Sequence, residues 1–100
     1  QGTWGGEGTL VIFGASWCPT TASMRPTISE IERSQIVRVV YVDVEAMDSS
    51  SYQEFDYLFA GDKIPYFVLL DGHGTKIHSF MGFQTYSDML AILKKHIKKS

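Results

Sequence analysis

One residue in this chain has a side chain suited to nucleophilic sulfur chemistry. Cys18 is the sole cysteine, and it sits in Phe13-Gly14-Ala15-Ser16-Trp17-Cys18-Pro19-Thr20-Thr21. An apolar run, Leu10-Val11-Ile12-Phe13, precedes this stretch and a helical pattern follows it. A strand that ends in a short turn and opens a helix at Cys-Pro puts a sulfur at a helix N-terminus. There the unpaired N–H groups and the helix dipole favour a thiolate. Proline suits the first helical position because its missing N–H had no intrahelical partner. The chemistry available is thiol–disulfide exchange, but Thr21 stands where a two-cysteine site would carry its second sulfur.

No second nucleophile system competes with Cys18. His73 falls in a turn, His78 in a strand and His96 in the last helix, none of them expected beside the cysteine. A Cys–His pair is therefore not expected, and no metal-ligand spacing is present. A single cysteine excludes an internal disulfide and any multi-cysteine metal site. Met24, Met47, Met81 and Met89 are scattered and read as core filling.

The elements that must position Cys18 follow from periodicity. One hundred residues with 44% hydrophobic and 20% charged content make one globular domain. A net charge of −2 offers no case for nucleic acid, and no apolar run is long enough for direct membrane insertion. Residues 1–8 include four glycines and read as a flexible lead-in or linker, with Trp4 part of it, leaving 9–100 as the domain. The chain opens at Gln1 without a methionine or signal peptide, as a processed or excised piece would, so this leaves the compartment open.

Leu10 to Phe13 reads as a buried strand. From Pro19 to about Ser34 the pattern is helical, with Met24, Ile28 and Ile31 on one face and a kink expected at Pro26. Ile36 to Val44 is the strongest strand, rich in β-branched residues. Strand, helix, strand at this spacing predicts a parallel pair with a right-handed crossover. Ser51 with Glu54 reads as a capping box for a helix carrying Phe55, Leu58 and Phe59, ended by Gly61. Those aromatics read as core. Tyr66 to Leu70 is a third strand, Asp71-Gly72-His73-Gly74 a tight turn, and Thr75 to Met81 a fourth strand alternating around Ile77 and Phe80. Thr85 with Asp88 caps a last helix with Tyr86, Met89, Leu90, Leu93 and Ile97 at helical spacing. Lys94, Lys95, Lys98 and Lys99 suit its C-terminal dipole. The order β-α-β-α-β-β-α predicts an α/β fold with a four-stranded mixed sheet and helices on both faces.

With that order, Trp17-Cys18-Pro19-Thr20-Thr21 resembles the active site of the thioredoxin-like superfamily, and the likeness runs from about Leu10 to Ile97. Trp17-Cys18 matches the family's Trp-Cys pair. Pro26, eight residues after Cys18, matches its helix-kinking proline. Pro65 in Lys63-Ile64-Pro65-Tyr66 matches its cis-proline, and Gly82 matches the glycine ending the next strand. Asp71-Gly72 paired with Gly82-Phe83 is similar to extracytoplasmic thiol reductants of bacteria. The resemblance implies a minimal thioredoxin fold in an extracytoplasmic setting, periplasmic or membrane-facing, within a larger or membrane-anchored protein; a cytoplasmic setting stays open. It implies that Trp17, Pro19, Ile64, Pro65 and Gly82 surround Cys18 and dock an extended substrate segment. Tyr66 replaces a more usual threonine.

Three departures shape the chemistry. Thr21 replaces the second cysteine, Ile12 the buried aspartate six residues before Cys18, and Tyr41 the lysine that accompanies it. Cys18 can attack a disulfide and form a mixed disulfide; Thr21 cannot resolve it, though its hydroxyl can hydrogen-bond the thiolate. Three readings remain. One is a monothiol thiol-disulfide oxidoreductase that acts on disulfide- or thiol-bearing protein clients, with no cofactor beyond an external thiol such as glutathione or a partner dithiol protein. Another is a dithiol reductase whose resolving cysteine was replaced by Thr21 as a trap. The third is a redox-inert binding module.

Overall fold

The computed structural model describes residues 8–61 and 63–96; Trp4, Ile97, Lys98 and Lys99 lie outside them. Four strands, β1 (Gly8–Gly14), β2 (Arg38–Asp43), β3 (Tyr66–Asp71) and β4 (Lys76–Met81), form one sheet in the order β2-β1-β3-β4. β1 and β2 are parallel; β1–β3 and β3–β4 are antiparallel. β1 opens at Gly8, which the sequence reading placed in the lead-in, and β2 is shorter than the run from Ile36 to Val44.

The central strands β1 and β3 are buried on both faces, which is why they read as continuous apolar runs. Leu10 and Ile12 of β1 and Phe67 and Leu69 of β3 pack with Met24, Ile31, Met89 and Leu93. Val11 and Phe13 turn the other way with Tyr66, Val68 and Leu70, and pack with Phe55 and Leu58. Helices α2 (Arg25–Ser34) and α4 (Tyr86–His96) therefore cover one face, and α3 (Ser50–Phe55) covers the other. Phe59 rests against Phe13, with ring centroids 5.2 Å apart, as expected of a core aromatic.

The structure corrects several local expectations. The first helical segment is broken rather than kinked. A short helix, α1 (Pro19–Ser23), ends at Met24, and α2 begins at Arg25. Pro26 thus lies in the first turn of α2, where its absent N–H forfeits no bond. The cap of α3 is Ser49, whose Oγ accepts from the Tyr52 N–H at 3.2 Å; the Ser51–Glu54 box is not formed. That helix gives way at Asp56 to a single 3₁₀ turn ending at Leu58, so Gly61 does not terminate it. Gly61 instead lies where a Cβ would meet the Tyr66 ring at 2.8 Å. In β4 a register shift opposite Leu69 and Leu70 leaves Ile77 unpaired and exposed, while Phe80 stacks on Phe67 at 4.7 Å. Met24 and Met89 are core residues, but Met47 and Met81 are exposed. The Thr85–Asp88 box is formed reciprocally, both bonds at 3.1 Å.

Candidate active site

The parallel and antiparallel pairings bring the C-terminal ends of β1 and β4 to the same edge of the sheet as the start of β3. Cys18 follows β1 and caps α1, with Pro19 at the first helical position. The peptide Ile64–Pro65 preceding β3 is cis. Gly82 follows β4, and its N–H donates to the Pro65 carbonyl at 2.9 Å. Gly82 has φ +92°, a conformation that a side chain disfavours, and the space around it is open. The Cys18 thiol donates a long hydrogen bond, 3.9 Å, to the Ile64 carbonyl. Cys18, Ile64, Pro65 and Gly82 therefore form one continuous cluster. Trp17 and Pro19 flank it, and Trp17 is 61% exposed.

Cys18 is only 9% exposed, yet its thiol is held below its ordinary pKa. The largest cause is the Thr21 backbone N–H, followed by the Thr21 hydroxyl, against burial, which raises it; the N–H and hydroxyl of Thr20 add to the lowering. These N–H groups belong to the first turn of α1 and have no intrahelical acceptor. No bond to the neutral sulfur is formed at this cap. They become acceptor-satisfied when the sulfur is an anion, which is the form they favour. Thr21 itself is 1% exposed and its Oγ1 has no hydrogen-bond partner in this state. An orphan hydroxyl facing a thiol is a donor held ready for the thiolate.

Sequence reasoning missed the surroundings of Thr21. Gly14 closes β1 under it, so close that a Cβ there would stand 2.6 Å from Thr21 Cγ2. Tyr41 of β2 reaches the same spot. Thr21, Arg25, Ile28, Ser29, Glu32 and Tyr41 line a groove of about 300 Å³. The helical members recur from Cys18 at spacings of three and four, a stripe readable in the sequence. Of the histidines, His78 stacks on His96 with centroids 4.3 Å apart. Among the described residues no cluster of three or more metal-ligating side chains occurs, and no helix is long and apolar enough to cross a membrane.

This geometry has known counterparts. The family model for the thioredoxin-like domain matches residues 4–97. A thiol:disulfide interchange protein TxlA homolog of Synechocystis is 30% identical over 92% of this chain and 48% of its own length. The chloroplastic thioredoxin-like protein HCF164 of rice is 30% identical over 77% of this chain and 29% of its own length. This chain thus spans less than half the length of these relatives. Among solved structures, a thioredoxin variant from Halobacterium salinarum superposes with a TM-score of 0.77 at 17% identity, over 94% of this chain and 78% of that one. The superposition carries the fold, and the family match with the relatives carries the kinship. The chain belongs to the thioredoxin-like domain family.

Proposed function

We propose that this domain is a thiol-disulfide oxidoreductase that works through Cys18 alone. The observation that carries the reading is the Thr21 N–H and hydroxyl facing the Cys18 sulfur and holding its thiol below the ordinary value. The Cys18 thiolate attacks one sulfur of a client disulfide. A new S–S bond forms, the old one breaks, and the displaced sulfur leaves as a thiolate that takes a proton from water. Thr21 lacks a sulfur, so the mixed disulfide waits for an external thiolate. That thiolate attacks the mixed disulfide, leaves with the client sulfur and returns Cys18 as a thiolate. A low-molecular-weight thiol such as glutathione, or a partner dithiol protein, fits this role, and no other cofactor is required.

Clients are disulfide- or thiol-bearing proteins presented as extended segments along Trp17, Pro19, Ile64, Pro65 and Gly82. The chloroplastic location of one relative supports a setting outside the cytoplasm, and the greater length of both relatives supports this domain being one part of a longer protein. The test is mass spectrometry after exposure to oxidised glutathione across a pH series. A single mixed disulfide at Cys18 should form at mildly acidic pH, persist after the oxidant is removed, and disappear on adding free thiol. No adduct below the ordinary thiol range of about 8.5 would instead mark a redox-inert binding module.

A further inference from the structure

Among the described residues, Thr21 Oγ1 is the buried side-chain polar atom that has no hydrogen-bond partner. Thr21 is 1% exposed, so solvent does not complete it. A buried hydroxyl left in this way is costly unless a ligand or a later state of the site uses it. The group it faces is the Cys18 thiol. Cys18 caps α1 and Thr21 is the third residue of that helix, a spacing that puts two side chains on one helix face. The Thr21 hydroxyl is also one of the groups that act directly on the sulfur. On its other side the thiol has only a long contact, 3.9 Å, to the Ile64 carbonyl. A carbonyl accepts and cannot donate. Thr21 is therefore a side-chain donor at the sulfur that holds no acceptor while Cys18 is a thiol.

Oxidation of the sulfur by two electrons supplies an acceptor, because it adds an oxygen atom there. Where a second thiol stands nearby, a sulfenic acid condenses with it to a disulfide. Cys18 is the sole thiol of this chain, and a hydroxyl occupies the position of the family's second cysteine. That hydroxyl does not displace the sulfenic oxygen; it donates to it. The residue that removes internal resolution thus gives the oxidised sulfur a partner. Cys18 is 9% exposed, so a small oxidant reaches it without the extended docking that a protein client requires.

We propose that Cys18 is also a site of reversible oxidation by hydroperoxides, and that the Thr21 hydroxyl binds first the peroxide oxygen and then the sulfenate oxygen. The thiolate attacks the terminal oxygen of the hydroperoxide. The S–O bond forms and the O–O bond breaks. The electron pair leaves on the other oxygen, which takes a proton from water and departs as an alcohol, or as water when the oxidant is hydrogen peroxide. The sulfur is oxidised by two electrons and the peroxide reduced by two. An external thiolate then attacks the sulfenic sulfur, an S–S bond forms, and the oxygen leaves as hydroxide and is protonated to water. A second external thiol opens that mixed disulfide. The return step rests on the thiol-exchange reading; the oxidation does not.

The experiment gives hydrogen peroxide to the reduced chain, freed of other thiols, and traps sulfenic acid with dimedone for mass spectrometry. A single dimedone adduct at Cys18 should form, and glutathione added in place of dimedone should convert the oxidised chain to a mixed disulfide. Thr21→Val and Thr21→Ser are compared with the unaltered chain at a pH where ultraviolet absorbance shows each thiol fully ionised. The rate of oxidation is divided by the rate of alkylation with iodoacetamide, which reads the thiolate without an oxygen to bind. Thr21→Val fills the same volume without the hydroxyl and should lower this ratio about tenfold, as loss of one donor to a developing anion does. Thr21→Ser keeps the hydroxyl and should keep the ratio within about twofold of the original. A ratio that Thr21→Val leaves unchanged, or the absence of a dimedone adduct from the unaltered chain, overturns this inference and leaves thiol exchange standing. Oxidation that depends on Thr21, in a chain that forms no mixed disulfide with oxidised glutathione, removes the exchange reading and leaves the oxidation site in place.

Discussion

Replacing Gly14 by alanine tests the packing on which the site depends. Gly14 does not have positive φ, so its backbone admits alanine without strain. By itself that change would stabilise the chain by about 0.4–1 kcal/mol through the unfolded state. The added methyl group, however, would stand 2.6 Å from Thr21 Cγ2, 2.9 Å from Tyr41 Oη and 3.2 Å from Thr21 Oγ1. The strand cannot retreat easily, because the Gly14 carbonyl accepts from the Val44 N–H at 2.9 Å and the residue is paired in register with Asp43. Thr21 cannot retreat either, being 1% exposed. Overpacking of this kind costs about 1–3 kcal/mol, so the net loss is about 1–2 kcal/mol. In a domain of this size that lowers Tm by about 4–8 °C per kcal/mol, readable by thermal and urea unfolding. The cause is checked by adding Thr21→Ala, which deletes two of the three contacts. The pair should then lose less than the sum of the single changes, with a coupling of about 0.5–3 kcal/mol. A Gly14→Ala chain as stable as the original, or strict additivity with Thr21→Ala, would refute the reasoning.

Three further outcomes are expected. Ser49→Ala should cost about 0.5–2 kcal/mol because it removes the α3 cap, whereas Ser51→Ala should stay within about 0.5 kcal/mol; urea midpoints of the two variants decide the assignment. His78 is held below its ordinary pKa by burial and then by the charges of His96 and Lys95. Its native value is thus lower than the unfolded value of about 6.5, and the unfolded chain takes up the proton first on acidification. Stability from this group is complete above about pH 6.5 and is lost as pH falls through the native value. His78→Gln should therefore flatten the fall in urea midpoint from neutral to mildly acidic pH. Thr21→Cys restores a second sulfur one helical turn from Cys18. It should yield an internal disulfide and reductant-driven turnover on a protein disulfide without accumulation of the mixed form.

The parts of the fold set by local pattern were legible in the sequence. Leu10–Phe13 and Tyr66–Leu70 announce strands buried on both faces because every residue in them is apolar. The family resemblance at Cys18, Pro65 and Gly82 pointed to the residues that meet at one end of the sheet. What escaped depends on tertiary contacts. Ser49, Ser50 and Ser51 are chemically equivalent caps, and packing of Phe55 and Leu58 selects Ser49. Ile77 looks like half of an alternating pair, but the shift opposite Leu69 and Leu70 turns it outward. Pro26 announces a disruption but not its place, because Met24 is drawn fully into the core and the break falls there. Gly14 carries no local signal, and Tyr41 entered only as the residue at the family's lysine position. They matter because parallel pairing of β1 with β2 sets Tyr41 beside Ile12, close to the strand end under Thr21.

The cluster at the sheet edge has a consequence for how the chain acquires its reactivity. Cys18 lies in the first fifth of the sequence, while Ile64–Pro65 and Gly82 lie in the last two fifths. Their meeting requires β1 to pair with β3 and β3 with β4, contacts that close long loops and that form late when loop-closure entropy is the main barrier. A chain emerging from synthesis therefore presents its thiol well before the Ile64–Pro65 peptide and Gly82 can gather around it. During that interval the sulfur lacks the neighbours that enclose it in the folded domain. On the thiol-exchange reading proposed above, any selectivity for clients is therefore acquired with the final hairpin.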